Sequence, residues 1–170
     1  IKMFIDEVVL NVIGGKGGDG CSSFRHEKFI EMGGPDGGNG GRGGNVVFVA
    51  DEGLKTLIDL RYQKKIKGEK GSNGSGANRT GASGEDTYVK VPVGTTITDT
   101  ETNLIIADLV KDKEEAIIAS GGRGGKGNAA FKSNKNKAPT TSEYGAPGEE
   151  RIVKCELKLL ADVGLVGFPS

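Results

Sequence analysis

From Met3 to Ile13 the apolar residues Phe4, Val8, Leu10 and Val12 mostly alternate with polar ones, the pattern of a strand with one buried face. The segments at 45–50 (NVVFVA) and 87–94 (TYVKVPVG) repeat it, and 95–98, 104–110, 116–119 and 151–159 add further strands. Short strands separated by Gly, Asn and Asp predict an antiparallel sandwich or barrel. Pro92 cannot donate to a ladder, which puts its strand at a sheet edge or at a bulge. Helical periodicity is thin: only 54–60, interrupted by Thr56, reads as a turn or a marginal helix.

Between these strands glycine recurs every third residue. The series are Gly14, Gly17, Gly20; Gly34, Gly37, Gly40, Gly43; Gly68, Gly71, Gly74; and Gly121, Gly124, Gly127. Three residues per turn is the period of a polyproline II helix, which can approach a sister helix closely only where a side chain is missing. A flexible linker would need no common phase, yet GGKGGDG, GGPDGGNGGRGG and GGRGGKG share one. Collagen needs an unbroken series and abundant proline, whereas this chain has scattered tracts and 5 prolines. Weak Cα–H to carbonyl contacts of about 0.5–1 kcal/mol each do not offset an ordering cost of about 1–2 kcal/mol per residue. The tracts are therefore expected to need strands anchoring both ends. The predicted architecture is all-β: a barrel or jelly-roll-like base from which glycine-rich loops project as paired extended arms.

At 170 residues the chain can form one ordinary domain, or one domain plus the edge of another, and its 5% aromatic content predicts a modest aliphatic core. It has no apolar run of about 18 residues and no basic-then-apolar leader, so the expected location is the cytoplasm with no membrane span. Met3 reads as the native start, with Ile1 and Lys2 a foreign or atypical extension. Cys21 and Cys155 lack metal or redox spacing and are expected as reduced thiols.

The net charge of zero conceals segregation. Residues 61–84 carry Arg61, Lys64, Lys65, Lys67, Lys70 and Arg79 against Glu69 alone, and residues 121–142 carry Arg123, Lys126, Lys132, Lys135 and Lys137 with no acid. The intervening 85–120 leans acidic. Three GxGxxG matches, at 15–20, 38–43 and 122–127, arise automatically from overlapping triplets and open no helix, so a dinucleotide site is not predicted. His26 is the only histidine and has no ligand or nucleophile partners at useful spacing; no catalytic residue and no metal site are predicted. Gly167 could open a phosphate-binding loop, but the lysine and hydroxyl that would complete it are absent.

FRHEKFIEMGGPDGGNGGRGGNVVFVAD, LIDLRYQKKIKGEKGSNGSGANRTGASGED, VKVPVGTTI, GGRGGKGNAAFKSNKNKAPTTSEYGAPGE and LKLLADVGLVGFPS together resemble the N-terminal domain of Obg family GTPases. The resemblance covers nearly the whole chain from Met3. It implies an Obg-fold domain over 3–159, an eight-stranded barrel base with six left-handed glycine-rich helices, followed at 160–170 by the first strand and loop opening of a G domain. It further implies a cytoplasmic protein of the large ribosomal subunit, with insertion toward the peptidyl-transferase region. GTP and Mg²⁺ would be bound beyond Ser170, so this segment itself is expected to need no cofactor and to be no enzyme. Where the family often has a second basic residue, FRHEK has His26.

On this reading the candidate RNA-binding residues are Lys16, Arg25, His26, Lys28, Arg42, Arg79, Arg123, Lys126, Lys132 and Lys135. They sit among glycines that let cations approach phosphates closely. The loops hold few aromatics, so recognition by backbone and shape is expected. The plain alternative is that these are solvated loop charges. A different class of function is a protein-interaction module, docking stress-response proteins or regulating its own G domain through the segment 85–120.

Overall fold

The computed structural model describes residues 2–25, 33–133 and 135–161. Its strands in chain order are β1 (Lys2–Ile13), β2 (Val46–Asp51), β3 (Lys65–Lys67), β4 (Thr87–Pro92), β5 (Thr95–Asp99), β6 (Ile105–Leu109), β7 (Glu115–Ala119) and β8 (Glu150–Ala161). The periodicity located all of these except β3, which is too short to show alternation over more than one buried residue, Ile66. The 54–60 segment becomes a 3₁₀ helix at Ile58–Tyr62, and a second one, not expected, spans Asn128–Phe131.

The eight described strands form two separate sheets rather than a closed barrel: five strands in the order β3-β1-β8-β5-β6, and three in the order β4-β2-β7. Pairing is not wholly antiparallel either, because β1 runs parallel to β3 and β2 parallel to β4. The strands of each parallel pair meet the bundle in the same sense, β1 and β3 running into rods and β2 and β4 emerging from them, and β3 and β4 each lie at a sheet edge. Pro92 ends the edge strand β4, where its missing N–H leaves no ladder donor unpaired inside the sheet. Alternate residues of the two sheets meet in an aliphatic core: Val8, Leu10, Val12, Ile97 and Val153 from one, Val46, Phe48, Ala50 and Val91 from the other. Leu57, Leu60 and Ile66 cap it. Asp6 on β1 ties down the capping loop by accepting from the Leu57 N–H and the Thr56 hydroxyl, both at 2.7 Å, and from Arg61 at 3.1 Å. Burial alone would raise the Asp6 carboxyl; those three donors outweigh it and hold it below the ordinary carboxylate value.

Six extended glycine-rich rods stand on this base among the described residues: I (14–21), II (37–44), III (68–75), IV (79–85), V (120–127) and VI (143–149). Four were visible as triplet series. Rods IV and VI carry only two triplet glycines each, Gly81 with Gly84 and Gly145 with Gly148, too few to stand out as a repeat. Each rod meets a strand at one end only, so the anchoring is single-ended: β1 runs into rod I, rod II into β2, β3 into rod III, rod IV into β4, β7 into rod V and rod VI into β8. At the other end loops join the rods pairwise.

No hydrogen bond closes within a rod. Instead rod I donates from Gly15, Gly18 and Cys21 to Gly44, Gly41 and Gly38 of rod II at 2.8–2.9 Å. Rod II donates from Gly38, Gly41 and Gly44 to Ser75, Ser72 and Glu69 of rod III at 2.7–3.0 Å. Gly71 and Gly74 of rod III return the bond to Lys16 and Asp19 of rod I. Rods I, VI and V close a second triangle through Gly17 to Ala146, Ala146 to Arg123, and Gly125 to Gly18. Ordinary N–H···O bonds, each contributing about 0.5–1.5 kcal/mol net, therefore supplement the weak Cα–H contacts expected from sequence.

Glycine is required by space and not by dihedral angle: among the described glycines only Gly94 has positive φ. A Cβ on Gly14, Gly17 or Gly20 would enter the carbonyls of Ser120, Arg123 or Lys126, and one on Gly40 or Gly43 would enter those of Gly18 or Gly15. Gly40→Ala should therefore lower stability by about 3 kcal/mol or more, at or beyond the upper end of ordinary overpacking. Gly34→Ala, whose Cβ would meet only Lys132 Nζ at 3.8 Å, should change it by less than about 0.5 kcal/mol. Thermal unfolding of the two variants makes the comparison.

Both cysteines are free; Cys155 is packed in the core, and burial pushes its thiol up to about 12. The folded state thus retains the thiol proton from roughly 8.5, the ordinary thiol value, up to about 12, while the unfolded chain loses it. The stability contributed by the neutral thiol is complete below that window and lost as pH rises through it. Denaturant titration should show the stability of wild type falling relative to Cys155→Val across this range.

Candidate nucleic-acid interface

A rod of three residues per turn offers one residue in three to solvent when its other two positions face neighbours. In rods I, II and V these outward positions hold Lys16 and Asp19, Asn39 and Arg42, and Arg123 and Lys126; rod III holds Lys70 and Asn73 there and exposes Glu69 and Ser72 as well. Asp19, Asn39 and Asn73 are engaged with backbone. Asp19 accepts from Gly145 N–H at 2.8 Å, Asn39 from Gly127 at 2.9 Å and Asn73 from Asp19 at 2.9 Å. At the roots and far ends Asn45 accepts from Gly121, Asp86 from Asn45, and Glu143 from the Lys126 N–H, at 2.8–3.0 Å.

The cations have no such role. Lys16, Arg42, Arg123, Lys126, Lys132 and Lys135 are all exposed, and among the described residues none has a carboxylate within ion-pair distance. The ion pairs among the described residues lie in the base, such as Arg61 with Asp6 and Arg151 with Asp99, or at its junction with rod VI, where Arg151 also meets Glu149. A neutral chain thereby carries a glycine bundle in which Asp19, Glu143 and Glu149 are turned to backbone N–H, Glu69 and Glu85 are exposed, and these six cations face solvent.

The sequence-derived candidates separate into three groups. Arg42, Arg123 and Lys126 lie on neighbouring rods, since Gly40 and Gly43 of rod II donate to Gly125 and Gly122 of rod V. Arg25, Arg79, Lys132 and Lys135 occupy the far end. There the Arg25 N–H bonds Gly34, Arg79 Nε donates to Gly76 O at 2.9 Å, and Lys132 Nζ comes near Gly34. Lys16 lies apart, in the furrow between rods III and VI. His26, Lys28 and Gly167 lie outside the described residues.

Spacing did not reveal the residue that holds the far end together. Asn128 is fully buried; its Oδ1 accepts the Gly37 N–H at 2.8 Å, and its Nδ2 donates to Ser23 O at 2.9 Å and Pro139 O at 3.1 Å. One amide so joins rod II to two loops. The only sequence signal is that Asn interrupts the Gly-Gly-X phase immediately after Gly127. Asp36 does similar work, accepting from Ala77 N–H at 3.0 Å and holding Ala77 and Asn78 at φ 60° and 56°. Tyr144, 85% exposed on rod VI, is one of the few aromatics that the glycine-rich segments were expected to hold.

Asn128→Ala should leave the buried Gly37 N–H without its acceptor and lower stability by about 2 kcal/mol or more. Amide hydrogen exchange at Gly37 should accelerate more than at Gly44, at the root of the same rod.

Comparison with known proteins agrees with this architecture. The GTP1/OBG family model matches residues 5–159. The chain is 55% identical to GTPase Obg of Persephonella marina over 98% of its own length, 60% identical to GTPase Obg of Levilactobacillus brevis over 99%, and 58% identical to GTPase Obg of Syntrophomonas wolfei over 99%. It spans 49%, 39% and 40% of those relatives, respectively. With the family match covering most of both sheets and all six rods, the chain belongs to the GTP1/OBG family.

Proposed function

We propose that this chain is the ribosome-binding domain of an Obg-type GTPase that acts in assembly of the large ribosomal subunit, contacting rRNA through the basic side chains of its glycine rods. The observation that carries this reading is a division of labour within the bundle: Asp19, Asn39 and Glu143 accept backbone N–H bonds, while Arg42, Arg123 and Lys126 have no ion-pair partner among the described residues and stand on adjoining narrow rods. Such an array suits a phosphate backbone, where affinity comes from cations and register from shape. The rods are read as left-handed polyproline II-type helices, supported by their period, the absence of internal hydrogen bonds, and Gly127 at φ −75° and ψ 166°.

Within this proposal 3–159 is the Obg-fold domain and 160–170 opens a G domain, in a cytoplasmic protein. GTP and Mg²⁺ act in that following domain, with Gly167 beginning its phosphate loop, and the present segment performs no hydrolysis. Among the described residues no group of carboxylates, histidines and cysteines could hold a metal, and no helix is long and apolar enough to cross a membrane.

A second reading, the protein-interaction module, is favoured by one feature of the base. Tyr88 and Ile117 flank Val47 across the three-stranded sheet and are 57% and 58% exposed. A stress-response regulator or the chain's own G domain would be the partner of that row.

Binding of purified large ribosomal subunits should be measured as a function of salt for wild type and for Arg42→Glu/Arg123→Glu/Lys126→Glu. Three lost phosphate contacts should reduce the slope of log K against log salt by about 2–3. An unchanged slope and affinity in the folded variant would remove RNA contact by these rods, and binding lost only on Tyr88→Ser/Ile117→Ser would transfer the function to the base.

A further inference from the structure

At the root of the bundle a groove of about 340 Å³ opens between the start of rod I, the end of β3 with rod III, and the end of rod VI. Its composition is unusual: Lys16, Lys67 and Lys70 line it together with Gly14, Gly68 and Gly148. The glycines are imposed by packing, since a Cβ on Gly14, Gly68 or Gly148 would enter the Ser120, Gly44 or Gly14 carbonyl. The lysines are not imposed by packing. All three are exposed, and on β3 it is Ile66, not its lysine neighbours, that enters the core.

One carboxylate, Glu150, shares the groove, and it forms no ion pair with any of them. Three cations against one anion leave an excess of two positive charges in a concave, glycine-floored site, where low-dielectric walls concentrate the field. Among the described residues the backbone N–H groups of Lys16 and Lys70 find no acceptor, although those of their neighbours Gly15 and Gly71 do. Ammonium groups and spare N–H donors around a floor without side chains suit tetrahedral phosphate oxygens, and the groove supplies no aromatic surface on which a base could stack.

We infer that this groove is a second phosphodiester-binding site, which holds the RNA backbone at the root of the bundle through Lys16, Lys67 and Lys70. It rests on the RNA reading above but is separate from the Arg42, Arg123 and Lys126 group: that group flanks the contact of rods II and V, while the groove lies between rods III and VI. Lys16, which sequence grouped with the other cations, belongs here. Lys67 and Lys70, at the junction of β3 and rod III, complete the site.

The test is a salt titration of this chain binding deproteinised large-subunit rRNA, comparing wild type with Lys16→Gln/Lys67→Gln/Lys70→Gln and with the Arg42, Arg123 and Lys126 reversal. The glutamine variant should lower the salt slope by about 2–3, additively with the reversal. If the folded glutamine variant keeps the wild-type slope while the reversal lowers it, the groove is not a phosphate site and the rods alone contact RNA. If neither alters the slope, both readings fall. Acetylation followed by mass spectrometry gives a check on the unmodified chain: bound rRNA should protect Lys16, Lys67 and Lys70 several-fold more than Lys55 on the base. Equal reactivity with and without rRNA would overturn the site.

Discussion

The structure depends on bare backbones lying closer together than any side chain permits. At nearly every triplet glycine of the rods, the place a Cβ would occupy is filled by a carbonyl of the neighbouring rod. This proximity lets Gly15, Gly18 and Cys21 reach rod II, and Gly17 and Gly20 reach rod VI, with N–H···O bonds of 2.8–2.9 Å. The bundle has almost no apolar side chains to bury, so its cohesion comes from satisfied peptide groups and dispersion between backbones. Glycine is entropically costly to order, and the strand continuous with each rod offsets part of that cost by fixing one of its ends.

This dependence explains the placement of polar residues. Two of three positions in an inner rod must be glycine or another residue whose side chain points away, leaving the third as the place for chemistry. The chain uses some of these sites to finish the lattice: Asn39, Asn45, Asp19 and Asn73 accept N–H groups that no backbone carbonyl reaches. The others carry lysine or arginine. Asp19, Glu143 and Glu149 are taken up by backbone N–H groups while Lys16, Arg42, Arg123 and Lys126 face solvent, and the bundle holds more cations than anions, so that a net charge of zero conceals a basic projection from a more acidic base.

Much of this was legible from local pattern. Seven strands followed from alternation, and the packing role of the glycines followed from their period, because both properties belong to a few adjacent residues. Three-residue β3 and rods IV and VI escaped notice because one buried residue or two glycines do not make a pattern. The aliphatic core was likewise expected, and among the described residues Phe48 is its one fully buried aromatic. The division into two sheets was not legible: strand propensity is indifferent to whether a sheet closes, and parallel pairing of β1 with β3 requires an excursion through rods and loops to return in one direction.

The class of structure and its basic character follow from local pattern, since hydrophobic period, glycine period and the clustering of lysine and arginine are all properties of nearby residues. Which cations stand together is settled by the fold. Lys16 is nearest in sequence to rod I glycines, yet it shares a groove with Lys67 and Lys70, whereas Arg42 stands on a rod bonded to the one that carries Arg123 and Lys126. The same holds for Asn128, an ordinary polar residue in the chain and a buried three-bond anchor in the fold. Such roles are set by neighbours brought from far along the chain, and the close approach permitted by glycine is what brings them.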